Sequence, residues 1–211
     1  PDSDPQPRRL SPLATLRWTR RAFTDGRSPA LWLLAIGVGV AAGYAAVGLR
    51  LAIQGVQWIA FGEASERLAS AAGALSPLHV IMAPVLGGCV VAALLYAGQR
   101  FKWLPEARAQ GISDVIETRA VRAGRMDAAP GLLSAAISAV SLGAGASAGR
   151  EGPAVHLGAT LSALFTRVLG LPPRAARIML ACGAAAAVSA SFNAPIAGAL
   201  FAFEVILGHY A

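Results

Sequence analysis

Long uncharged stretches interrupted by glycine and proline constrain this chain more than any other feature. Ser28 to Leu49, Ala128 to Gly149 and Ile178 to Phe203 carry no acidic or basic side chain, and Ser76 to Gln99 is uncharged apart from His79. Each reaches the ~20 residues that a helix needs to cross the hydrocarbon of a bilayer. The whole chain is 55% apolar and only 14% charged, with a mean hydropathy of +0.57, a profile that excludes an ordinary soluble domain. The fold class that follows is an all-α membrane protein. Gly152 to Thr166 is a shorter apolar stretch, which predicts a helix that does not cross alone, and broken or re-entrant helices are expected where Gly and Pro interrupt the runs.

The formal net charge of +7 does not point to nucleic acid, because the basic residues cluster beside the apolar runs. Arg8, Arg9, Arg17, Arg20, Arg21 and Arg27 precede the first run, and Arg100, Lys102, Arg108, Arg119, Arg122 and Arg125 follow the second. The positive-inside bias makes both segments cytoplasmic, with two crossings between them and the linker of Glu63, Glu66 and Arg67 outside. Residues 1–27, rich in Pro and Arg, read as a cytoplasmic basic arm, and residues 28–211 as the transmembrane region. Multi-pass residence in the cell membrane with a cytoplasmic N-terminus is therefore expected. Cys89 and Cys182 lie in apolar stretches and read as small core residues; there is no metal-ligand spacing, and no cofactor is expected.

The punctuation predicts the elements. A first helix from about Pro29 to Ala60 carries Gly37, Gly39, Gly43 and Gly48, and a second from about Pro77 to Gln99 carries Gly87 and Gly88, all small residues suited to close helix approach. A short helix is expected after Gln110-Gly111-Ile112, with Ser113 as its N-cap and Asp114 at the positive end of its dipole. The Ala-, Ser- and Gly-rich stretch from Ala128 to Gly149 suits a buried helix, and Gly152-Pro153 restarts the chain. Further breaks are expected at Leu171-Pro172-Pro173 and at Asn193-Ala194-Pro195, where Asn193 is expected to cap and Pro195 to begin a short helix through Glu204.

Three helix starts are thus exposed by the breaks, after Gly111, after Gly152 and after Ala194. Free N–H groups and the positive end of a dipole suit an anion without holding it as tightly as a full charge would. Gly149-Arg150-Glu151-Gly152-Pro153 places an acidic side chain at the second start. An ionised carboxylate inside a bilayer costs roughly 2.5–3.5 kcal/mol on insertion scales, so it needs a partner or a role. At that position Glu151 competes with a passing anion for the same N–H groups, and protonation would release it.

Gly149-Arg150-Glu151-Gly152-Pro153 followed by Ala154-Val155-His156-Leu157-Gly158 resembles the gating-glutamate motif of the CLC family of chloride channels and chloride/proton antiporters. Phe192-Asn193-Ala194-Pro195-Ile196-Ala197-Gly198, with Phe201 and Glu204, resembles that family's next characteristic block. The resemblance runs from about Leu31 to Ala211 and implies an inverted-repeat fold of which this chain is most of the first repeat, assembled as a homodimer with one pore per subunit. It implies Glu151 as the gate, exchanging protons, and Gln110, Gly111, Ile112, Arg150 and Gly152 around chloride or a similar anion. Gly149, Pro153, Asn193, Pro195 and Glu204 serve the helix starts. The second repeat, which in the family completes the anion site, is not in these residues, so the segment is not expected to conduct alone.

Two departures shape the expectation. Where the family usually has Gly-Ser-Gly-Ile-Pro, this chain has Ala109-Gln110-Gly111-Ile112-Ser113, so an amide replaces the serine hydroxyl. Val205 stands where many antiporters of the family place a second acid after the residue matching Glu204, and an aliphatic side chain carries no proton. The reading is passive or weakly proton-coupled anion permeation, with a chloride/proton antiporter as the alternative. Glu204 reads as structural, bonding to nearby backbone; His156 as a packed or loosely hydrated histidine; His79 and His209 as interfacial; Trp32, Trp58, Trp103 and Tyr96 as interface anchors. Gly145-Ala146-Ser147-Ala148-Gly149 matches the Gly-x-Ser-x-Gly pattern of serine hydrolases, but a nucleophile elbow needs a strand before it, and the helical context offers none. No enzymatic activity is expected.

Overall fold

The computed structural model describes residues 29–64, 73, 75–104, 106–122 and 124–208. The basic arm, Glu66, Arg67 and His209 lie outside them. Among the described residues seven α-helices follow one another: α1 (Pro29–Phe61), α2 (Pro77–Arg100), α3 (Ile112–Val121), α4 (Ala128–Gly143), α5 (Glu151–Val168), α6 (Pro173–Phe192) and α7 (Pro195–Phe201), the last running into a π-helical turn at Ala202–Ile206. No strand occurs among the described residues. Helices α1, α2 and α6 are long and apolar enough to cross a membrane.

The core is built round α5 and α6. Ala154, Val155, Leu157, Ala159 and Ala163 of α5 are buried, as are Leu180, Ala181, Ala184, Ala187 and Val188 of α6. Helix α1 packs across α6, α5 and α4, while α2 leans mainly on α4 and buries only Ala83, Gly87 and Gly98. Ile81, Val85, Leu86 and Tyr96 of α2 are exposed, the arrangement of a helix whose outer face meets lipid. Hydroxyls inside the core bond to their own helices: Thr160 donates to the His156 carbonyl at 2.8 Å, Ser162 to that of Gly158 at 2.8 Å and Ser189 to that of Ala185 at 2.7 Å. No hydroxyl of this set is left unpaired in an apolar setting.

Glycine places the helices, but not the glycines of α1. A Cβ at Gly37, Gly43 or Gly48 would meet nothing within 4 Å, and one at Gly39 only Ala186 at 4.0 Å, so the expected close approach along that stripe does not occur. It occurs instead between α5 and α6, where a Cβ on Gly158 would stand 2.5 Å from the Gly183 carbonyl oxygen and 3.0 Å from the Ala187 Cβ. Gly143 closes on Val56, Gly131 on Thr160 and Gly87 on Ala144 in the same way, whereas Gly88 faces open space.

Helix ends also refine the expected punctuation. The cap of α3 is Gly111, and Ser113 lies within the first turn. Helix α4 stops at Gly143 rather than continuing to Gly149, because Gly145 takes a φ of +103° that a helix cannot hold. Asn193 ends α6 in the left-handed region at φ 53° and ψ 37°, so it caps the helix behind it; Ala194 precedes Pro195 at the start of α7. Cys89 is exposed on α2 and Cys182 half-buried, both as free thiols, so only the second contributes to packing.

Candidate anion pathway

Helix α5 begins at Glu151, with Arg150 as N-cap, Gly152 next and Pro153 third. Proline at this point loses no hydrogen bond, since the first turn has no intrahelical acceptor for its N–H. The loop from Ala144 to Arg150 brings the chain to this start from the end of α4. Gly149 matters for a steric reason: a Cβ there would collide with the Glu151 carboxylate. The acid therefore folds back over its own approach loop, a position that any larger residue would deny it. A Cβ at Gly152 would meet nothing within 4 Å, so the backbone behind the carboxylate faces open space.

Glu151, Arg150 and Gly149 form one wall of a cavity of about 470 Å³, whose opposite wall is Arg50, Ile53, Gln54 and Gln57 of α1. A smaller cavity of about 80 Å³ continues past Arg50, Arg150 and Ala154 to Ala190 and Ser191 at the end of α6. Sequence reasoning named Arg150 and Glu151 and missed the α1 wall. The signal was present, since Arg50 is the one charged side chain of the 33-residue α1.

Gln110 lies elsewhere. It lines a second cavity of about 200 Å³ with Asp114, Thr118, Pro130 and His156, and with Lys102, Glu117 and Arg122. His156 is five residues beyond Glu151, about 7.5 Å along α5 and some 140° round it, so the two cavities meet one helix at different levels and on different faces. His156 is 1% exposed, and neither ring nitrogen has a hydrogen-bond partner among the described residues. Ser147, exposed in the loop before α5, lines neither this cavity nor the larger one, and no strand precedes it. The hydrolase geometry is absent among the described residues.

The start of α3 is already occupied by an acid. The Gly111 N–H donates to Asp114 Oδ2 at 2.7 Å, and the Gln110 N–H to Ser134 Oγ at 3.0 Å. Of the expected anion contacts here, the Gln110 and Gly111 N–H groups are thus already engaged within the protein. Arg108 holds Asp114 in a two-pronged bond, Nη1 to Oδ2 at 2.9 Å and Nη2 to Oδ1 at 2.8 Å. Burial works to raise the Asp114 carboxyl, but the Arg108 and Gly111 donors outweigh it and hold the group below its ordinary value. Asp114 in turn raises the Arg108 guanidinium. At the third start, Glu204 sits exposed in the π-helical turn and makes no hydrogen bond or ion pair among the described residues, and Pro195 opens α7 without lining the Glu151 or the Gln110 cavity.

Broken apolar helices and a crossing pair of core helices with touching backbones define a multi-pass helical membrane protein. Residues 88–211 match the family described as voltage gated chloride channel, and the chain belongs to that family. It is 37% identical over 175 residues to a putative chloride channel protein ClcB-like of Ralstonia nicotianae, covering 81% of this chain and 39% of that protein. It is 33% identical over 176 residues to the voltage-gated ClC-type chloride channel ClcB of Escherichia coli, covering 83% and 41%. The chain thus spans about two fifths of the length of these relatives. No solved structure matches it.

Proposed function

We propose that the protein to which this segment contributes conducts a small anion, chloride first, through a membrane path that Glu151 gates. One observation carries the reading: the carboxylate of Glu151 folds over Gly149 at the start of α5 and lines a cavity shared with two arginines. Ionised, it occupies the place a permeating anion needs; protonated, it leaves the helix start and its dipole open. The motif likeness and the names of the relatives support chloride as the ion. Val205, aliphatic beside Glu204, supports passive or weakly proton-coupled movement over tightly coupled exchange. The protein is read as non-enzymatic, as a homodimer, and as resident in the cell membrane with its N-terminus in the cytoplasm.

The test is Glu151→Gln in the full-length protein, reconstituted in liposomes and assayed for chloride and proton movement between pH 4 and 8. Chloride flux that rises on acidification in the parent and loses that dependence in the variant, with little proton uptake driven by a chloride gradient in either, is the expected result. A pH response that survives the substitution removes the gate, and robust proton uptake in the parent replaces the channel with an antiporter.

A further inference from the structure

A membrane-spanning helix whose end carries exposed arginines beside a cavity presents that cavity to the headgroup layer of the bilayer. The Pro173 end of α6 is such a place. Helix α6 is long and apolar enough to cross a membrane, so its first turn lies at a boundary, and a cavity of about 620 Å³ opens there among the end of α5, the start of α6 and the turn between α3 and α4. Arg122, Arg125 and Arg167 line it, together with Ala163 and Ala176, both buried. The turn is held at both ends. Gly124 takes a φ of +80°, its N–H donates to the Thr118 carbonyl at 3.1 Å, and the Arg125 N–H donates to the Arg122 carbonyl at 3.1 Å. A Cβ at Gly124 would stand 3.1 Å from the Arg177 nitrogen, so the turn presses on α6 and brings Arg125 to the part of that helix that carries the exposed Arg174 and Arg177.

The acids nearby do not cancel these charges. Arg122 pairs with Glu117 at 3.7 Å and Arg167 with Asp127 at 3.3 Å, exposed contacts that leave each guanidinium N–H donors for a further acceptor. Arg125, Arg174 and Arg177 have no ion pair or side-chain hydrogen bond among the described residues. Five arginines against Glu117 and Asp127 thus leave three positive charges in excess. Guanidinium suits any phosphate, and the surrounding surface selects which. Val121, next to Arg122, is 77% exposed, Val168, next to Arg167, is 76% exposed, and Leu164 is exposed one turn before, apolar surface that an acyl chain covers and a soluble phosphate does not. We infer that this cavity holds the headgroup of an anionic phospholipid, with Arg122, Arg125 and Arg167 donating to its phosphate and Arg174 and Arg177 adding positive field. The orientation expected from the positive-inside bias puts that lipid in the cytoplasmic leaflet. The cavity shares no lining residue with that of Glu151, so the inference does not rest on the conduction reading.

The experiment takes the full-length protein, delipidated in a neutral detergent, and measures by native mass spectrometry its binding of added phosphatidylglycerol and phosphatidylcholine. The parent is expected to bind phosphatidylglycerol about tenfold more tightly. Arg125→Gln is expected to weaken that binding about fivefold, and Arg125→Gln/Arg177→Gln about twentyfold, the effect of one and two charges at a lipid surface, with phosphatidylcholine unchanged. Both side chains are exposed and unpaired among the described residues, so their loss leaves the fold intact. Arg125→Lys, which keeps the charge, is expected to lose less than Arg125→Gln. Arg100→Gln, on α2 and outside the cavity, measures diffuse attraction and is expected to shift nothing. Equal affinity of the parent for the two lipids, or equal losses from Arg100→Gln and Arg125→Gln, overturns the headgroup site. Displacement of the lipid by inorganic phosphate reassigns the cavity to a soluble anion and overturns the lipid. Anion flux plays no part in the readout, so failure of the conduction reading leaves this result standing.

Discussion

Asp114 shows how a single side chain can change what a helix start is for. The sequence suggested an open anion site at Gly111, with Ser113 capping the helix and Asp114 favouring its dipole. In the structure the Asp114 carboxylate takes the Gly111 N–H and is itself clamped by Arg108. Residue type and position were legible; which group would fill the N–H was not, because that depends on a loop arginine reaching back. Asp114→Ala is expected to cost about 1 kcal/mol, the usual value of a lost cap, read as a lower thermal midpoint in detergent. Since the folded-state carboxyl lies below the ordinary value of 3.8, this contribution is fully present above that pH and is lost as pH falls through the folded value. The gap between parent and variant therefore persists from neutral pH down to about 3.8 and closes below it. A constant gap under stronger acid would show that the charge plays no part.

Helix identities and boundaries were largely readable, because apolar runs and Gly-Pro breaks act locally. Pro29, Pro77, Pro173 and Pro195 each open a helix as their fixed φ favours. Contacts between helices were not readable. Gly37, Gly39, Gly43 and Gly48 of α1 form the more conspicuous small-residue stripe, yet they face open space or one distant methyl, while Gly158 and Gly183 in less conspicuous settings bring two backbones together. Spacing within one helix does not say which helix lies opposite. Gly158→Val is accordingly expected to destabilise by about 1–3 kcal/mol through overpacking, whereas Gly43→Ala and Gly48→Ala are expected to be neutral or slightly stabilising, as alanine favours a helix over glycine. Thermal midpoints of the three variants in one detergent would decide; a tolerated valine at 158 would contradict the close crossing.

At the scale of the whole molecule, the segment accounts for about two fifths of the length of its relatives, and among the described residues Glu151 and Gln110 line different cavities. The family motif singled out Glu151 and Gln110 as candidates, but the α1 wall of Arg50, Gln54 and Gln57 belongs to no short motif and emerged only when the helices were placed. The 211 residues reconstituted alone are expected to give no more chloride flux than protein-free vesicles, and joined to the remainder of the protein to conduct. Flux from the segment by itself would show that the pathway is complete within it. The crossing of α5 on α6 bears on the manner of opening. Two helices whose peptide groups touch at Gly158 and Gly183 cannot slide or rotate against each other without parting, so the scaffold that presents Glu151 behaves as one stiff block. Under the gate proposed for Glu151, opening is the swing of one carboxyl group on a stationary frame, which implies a shallow temperature dependence and kinetics set by protonation instead of by rearrangement of the membrane-embedded body.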